Sequence, residues 1–168
     1  MMQRAPVAVG GRAMIESLGS GGTVNHWLGL AVASVFVWLG MVLAISFLEA
    51  PLKFRAPGIT IPLGLGIGRL VFKALNMCEV VLAAAALVGV VLGRAPAVVL
   101  VATVIAVAAL GAQVLAVRPA LARRSNAVLA DASVAESGRS RAHVVYVGFE
   151  LVKVVALLVG GVLLLAAL

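Results

Sequence analysis

The feature that most constrains this chain is the run over residues 26–48, 23 positions without an Asp, Glu, Lys or Arg. At 1.5 Å of rise per residue, a helix of that length crosses about 30 Å of hydrocarbon. Further apolar segments run over about 70–92, 96–117 and 143–168. Lipid offers the backbone no hydrogen bonds, so a spanning segment must be a helix or part of a closed barrel, and four long segments cannot close a barrel. Composition points the same way. Of 168 residues, 64% are apolar and 11% charged, too little polar surface for a soluble globule. That excludes a soluble enzyme, a disordered chain and a nucleic-acid-binding module, despite a net charge of +7. The expected fold is all-α, a four-span transmembrane helical bundle over residues 26–168, behind a short flexible tail over 1–25.

Charge distribution sets the expected orientation. The first span is expected to stop at Glu49-Ala50-Pro51, where an ionisable group meets a ring that cannot donate a hydrogen bond. Gly93-Arg94-Ala95-Pro96 is so short that the second and third spans must form an antiparallel hairpin. The two long connectors, with the first turns of the spans that follow them, hold Lys53, Arg55, Arg69, Lys73, Arg118, Arg123, Arg124, Arg139 and Arg141, whereas Arg4, Arg12 and Arg94 lie on the other side. Nine cations against three put the connectors in the cytoplasm and both termini outside, the expected setting being a bacterial inner membrane. Residues 120–135 are expected to extend the third span before Ser137-Gly-Arg-Ser140 breaks it, their arginines suiting anionic lipid head groups.

The halves of the chain resemble each other. In each, an apolar helix ends at a proline followed by basic residues, Pro51 with Lys53 and Arg55, then Pro119 with Arg123 and Arg124. About 20 residues later a helix opens with polar groups. Equivalent features recur at close to 70 residues, consistent with a duplicated helical hairpin.

Polar residues inside the spans are the candidate site. Arg69, Lys73, Asn76 and Glu79 recur at helical spacing on the second span, as do His143, Tyr146, Glu150 and Lys153 on the fourth. Charge facing hydrocarbon costs several kcal/mol, so both stripes are expected to turn inward. Glu79, Glu150 and Lys153 then form a buried charge cluster near mid-bilayer, with Asn76, Tyr146 and Gln113 to satisfy remaining donors and acceptors. Glu49, Arg69, Lys73, Arg118 and His143 are placed at the mouth of a cytoplasm-facing pocket. Such a cluster either binds an ion, a proton or an anionic head group, or fastens the bundle with salt bridges flanked by snorkelling cations. Trp38, Phe36 and Phe47 read as core or lipid-facing filler. The glycine run in Pro62-Leu-Gly-Leu-Gly-Ile-Gly68 lacks the spacing of a dinucleotide fingerprint and reads as a re-entrant or interfacial segment, with Arg69 opening the next span.

Few other chemistries fit. One cysteine, Cys78, excludes a disulfide framework and a thiolate metal site, and no paired-histidine metal spacing occurs. His26 and His143 open spans on opposite sides and cannot ligate one haem, which leaves a haem with a single histidine ligand as an alternative; no cofactor is otherwise predicted.

The order of His26, Trp38, Phe54-Arg55 with Pro57, Gly68, Leu70-Val71-Phe72, Arg118-Pro119 and His143 resembles the four-helix membrane family typified by transmembrane protein 205. The resemblance covers most of the chain from His26 onward. It implies a compact four-span bundle of unassigned molecular activity, linked in animals to vesicle traffic and tolerance of metal-containing drugs. Glu150 and Lys153 depart from the family pattern, so it implies an architecture and no site. The leading functional expectation is a non-enzymatic protein that binds or conducts a small ion or solute, or serves as an accessory subunit. The alternatives are a redox or lipid-modifying membrane enzyme and a lipid-organising scaffold. Expected partners are anionic membrane lipids, further copies of the chain or a partner subunit.

Overall fold

A computed structural model describes residues 25–130 and 141–167. The expected tail and the expected helix break at 137–140 lie outside the described residues. The protein is all-α, and four helices are long and apolar enough to cross a membrane. Helix α1 is His26–Arg55, α2 is Ile61–Leu92, α3 covers 97–130 and α4 is Arg141–Leu165. Helix α1 packs on α2 and α4, and α3 packs on α4 and α2, so the four close a ring with α2 and α4 on a diagonal. Large apolar side chains such as Leu48, Leu70, Val81 and Val101 point outward, as a bundle solvated by lipid requires.

Two expected boundaries move, each for a local reason. Helix α1 runs through Glu49-Ala50-Pro51 to Arg55, because Leu43–Glu49 is a π-helical turn in which Ala50 N–H donates to Ile45 O. The wider turn shifts the carbonyl that the Pro51 ring would otherwise strike. Helix α3 repeats the device. Gln113–Val117 is π-helical, Arg118 N–H donates to Gln113 O, and Pro119 follows at the same two-residue distance from the turn. Helix α2 begins at Ile61, so the glycine run is its first two turns rather than a re-entrant segment. Thr60 caps it by accepting from Leu63 N–H at 3.3 Å, and Pro62 occupies the first turn. A glycine inside a helix costs about 1 kcal/mol. Here it admits a neighbour: a Cβ on Gly64 would strike the Phe54 ring, and one on Gly68 would lie 2.8 Å from Lys53 Nζ.

The two hairpins share a burial pattern. Shifted by 71 positions, Leu28, Ala31, Val35, Leu39 and Val42 of α1 fall on Val99, Ala102, Ala106, Leu110 and Gln113 of α3, all buried. The same shift carries Glu79 onto Glu150 and Gly89 onto Gly160. Both hairpins close at that glycine. A Cβ on Gly89 would lie 2.7 Å from Ala31 N, and one on Gly160 would lie 3.3 Å from Ala102 Cβ.

At the end away from the long connectors, Asn25 joins the two helices of the first hairpin. Its Oδ1 accepts from Trp27 N–H at 3.2 Å and Leu28 N–H at 3.4 Å, while its Nδ2 donates to Gly93 O at 3.1 Å. Asn25→Ala removes the cap and the tie together, so it is expected to cost about 1–2 kcal/mol. Thermal unfolding in detergent checks this, and an unchanged midpoint would count against the arrangement.

Candidate functional site

The polar stripes of α2 and α4 meet across the diagonal of the ring. Glu79 lies just past the middle of the 32-residue α2, and its Oε1 accepts from Lys153 Nζ on α4. Lys153 Nζ also stands 3.2 Å from Glu150 Oε2, one turn away on its own helix. All three side chains are essentially inaccessible. Two carboxylates share one ammonium, so the cluster holds one negative charge in excess when all three are ionised. An uncompensated charge at that depth is costly.

Trp38 is a member of this cluster and not filler. It is fully buried on α1, and its indole N–H donates to Glu79 Oε1 at 2.9 Å. Glu79 is therefore held from both sides by Trp38 and Lys153. Glu150 is not: the ammonium it meets among the described residues is that of Lys153, an ion pair without hydrogen-bond geometry. The carboxylates that the 71-residue shift superimposes thus occupy different states, because Trp38 is replaced by Ala109 at the equivalent position.

Asn76, Gln113 and Tyr146 are buried as expected but hydrogen-bond elsewhere. Gln113 Nε2 donates to the Tyr146 carbonyl at 3.2 Å. With its amide assigned from the surrounding donors and acceptors, Asn76 donates to Phe72 O at 3.0 Å and accepts from Arg118 Nη1 at 3.3 Å. The Tyr146 ring meets Phe72 edge to face at 5.6 Å. Its hydroxyl lies beside Glu150.

A cavity of about 590 Å³ opens at the long-connector end and reaches down to Glu150. All four helices line it, with Phe54, Phe72 and Leu121 among its apolar walls and Lys53, Arg69 and Arg118 as its cations. Ser46, whose buried Oγ has no partner among the described residues, and Tyr146 also belong to the lining residues. Its volume lies within the usual range for a small-molecule site.

The mouth differs from the expected set at two positions. Lys73 is exposed on the outer face of α2, one position past Phe72 and hence about 100° out of phase with the wall. Glu49 does not line the cavity either; it pairs along α1 with Lys53 at 3.2 Å. Lys53 takes the inward position because Gly68 leaves room for it, and its ammonium lies 5.7 Å and 5.3 Å from the Phe54 and Phe72 ring centroids. Arg69 and Arg118 line the cavity as expected, and Arg69 Nη1 donates to Asn126 Oδ1. His143 lies in the first turn of α4 at this end, with its side chain outside the described residues, and His26 opens α1 at the other end. Among the described residues, no three His, Cys, Asp or Glu side chains converge as a metal centre.

The lysine of the mouth and the tryptophan beside Glu79 are the signals least visible in the chain. Trp38 sits in a helix that is apolar all round, where nothing marks one face as inward. The glycines at 64 and 68, four apart, were the one hint that α2 receives a neighbour there. Compared with models of known families, with curated proteins and with solved structures, the chain matches none.

Proposed function

We propose that this chain is a non-enzymatic multi-pass protein of a bacterial inner membrane that binds or conducts a small ion or solute, alone or as an accessory subunit. The working part is the cavity floored by Glu150. One observation carries this reading: Glu150 is buried and lines a cavity open at one end of the bundle, and the ammonium it pairs with among the described residues, that of Lys153, is shared with Glu79. A cluster that only fastened helices would match its charges, whereas here two buried carboxylates share one ammonium.

The nine-to-three balance of cations supports a cytoplasmic opening and external termini. Exposed Arg55, Lys73 and Arg123 at that end suit anionic head groups. The resemblance to the transmembrane protein 205 family belongs to the proposal as an architecture only.

The test is thermal unfolding of the purified protein against a panel of monovalent cations, protons, amines, carboxylic acids and inorganic phosphate. At least one ligand is expected to raise the midpoint, and Glu150→Gln is expected to remove that response while the variant elutes as the wild type does. A ligand at 100 times its Kd raises stability by about 2.7 kcal/mol, well within detection. If no panel member shifts the wild type, or if Glu150→Gln leaves every shift intact, the cavity is not the working part.

A further inference from the structure

We propose that the cavity selects a small amphiphilic zwitterion. Its anionic group is held at the mouth by Arg118 and Arg69, its ammonium at the floor by Glu150, and its apolar body lies against Phe54, Phe72 and Tyr146. This rests on the reading of the cavity as a solute site and adds the class of solute.

The first support is the layout of charge. Arg118 is oriented by the Asn76 amide and Arg69 by that of Asn126, both neutral groups. Among the described residues, neither guanidinium has a carboxylate within salt-bridge distance. Lys53 differs, because Glu49 and two aromatic rings already meet its charge. Among the described residues the mouth therefore presents two positioned guanidiniums, exposed Arg69 and half-buried Arg118, a geometry suited to a carboxylate or phosphate. At the floor, Glu150 shares Lys153 with Glu79, so one ammonium faces two carboxylates.

The second support is exclusion. A simple anion that fills the cavity brings its charge or its tail against the Glu150 carboxylate. A simple cation must pass Lys53, Arg69 and Arg118 and leaves both guanidiniums unanswered. The mismatch at buried Glu150 is magnified, because charges there are poorly screened. A molecule with one charge of each sign meets both ends.

The third support is reach. Gln113 marks the level of Tyr146 through its hydrogen bond. Arg118 lies five residues toward the mouth on α3, and Glu150 lies one turn deeper on α4, so their backbones are separated along the bundle by roughly 13 Å. Side chains lean toward the N-terminus of their helix. Helices α3 and α4 are antiparallel, so Arg118 leans inward and Glu150 leans toward the mouth. Their charged ends therefore approach each other across a gap shorter than the backbone separation, with the Arg118 guanidinium reaching Asn76 one turn on the mouth side of Glu79.

The experiment uses the full chain in nanodiscs of phosphatidylcholine and three probes of matched length: ε-aminocaproate, caproate and hexylamine. Calorimetric titration is expected to give an affinity for ε-aminocaproate about tenfold or more above that for either singly charged probe, the effect of one charge-assisted contact. Arg118→Gln is expected to lower it to the level of hexylamine, Glu150→Gln to that of caproate, and Arg118→Lys, which keeps the charge but not the planar fork, to retain part of it. The comparison of probes on the wild type needs no variant, so the proposal stays testable even where a variant fails to fold. Caproate or hexylamine binding as well as ε-aminocaproate overturns the zwitterion and leaves the solute reading standing. A response to inorganic ions with none to ε-aminocaproate does the same, and silence toward these probes and the wider panel overturns both.

Discussion

Lys153→Met is expected to be the most damaging single substitution in the bundle, costing about 3–5 kcal/mol. The lysine is fully buried between Glu79 and Glu150. Without it, two carboxylates occupy one low-dielectric region with Trp38 as the remaining donor. Folded proteins have about 5–15 kcal/mol in total, so the loss would be a large share of the margin. The same physics predicts a rescue. In Lys153→Met/Glu79→Gln/Glu150→Met no charge remains, and the amide oxygen that takes the place of Glu79 Oε1 still accepts from the indole. Replacing a whole buried ion cluster is commonly neutral or favourable, whereas removing one partner is not. The triple variant should therefore be more stable than the single one. Denaturant unfolding of the three proteins in one detergent decides it. If Lys153→Met unfolds with the wild type, the ion cluster is not what joins α2 to α4; if the triple variant is the weaker, the cost lies in packing instead of charge.

The second large effect is expected at Gly89→Ala, where an added methyl group would meet backbone and not a movable side chain. The new Cβ would lie 2.7 Å from both Ala31 N and Trp27 O, so α1 and α2 must separate. Overpacking of this kind costs about 1–3 kcal/mol, against which the better helix propensity of alanine returns about 1 kcal/mol. Gly40 supplies the control, since nothing lies within 4 Å of a Cβ built there. Gly40→Ala should be neutral or mildly stabilising. Gly160→Ala should fall between, because its contact is a 3.3 Å approach to the Ala102 methyl. Adding Ala31→Gly should not rescue Gly89→Ala, because the clash is with backbone atoms that glycine keeps, whereas Ala102→Gly should rescue Gly160→Ala. Unfolding midpoints in any other order would mean that the hairpins do not close at these glycines.

Much of this could be read from residues alone. The uncharged run before Glu49 required a membrane-crossing helix, and the cost of charge in lipid required Glu79, Glu150 and Lys153 to face inward and find one another, as they do. The glycines at 64 and 68 marked a close approach without saying what approaches. Less legible were the places where two rules compete. A proline after an apolar run normally ends a helix, but the π-helical turns before Pro51 and Pro119 remove the collision. A glycine run normally opens a loop, but Thr60 and Pro62 start the helix ahead of it. Lys53 sits among basic neighbours past an apolar run, where a cation normally snorkels outward, and only the groove beside Gly68 draws it inside.

The chain by itself determined that there are four spans and which ionisable groups must be sheltered, because both follow from the price of polarity in hydrocarbon and from helical spacing. Which carboxylate is satisfied and which is left open was decided only by tertiary structure. Glu79 and Glu150 occupy equivalent positions in the two hairpins, and what separates them is an indole arriving from α1. Helix α1 is apolar on every side, so its rotation, and with it the side on which Trp38 falls, is set by packing against α2 and α4.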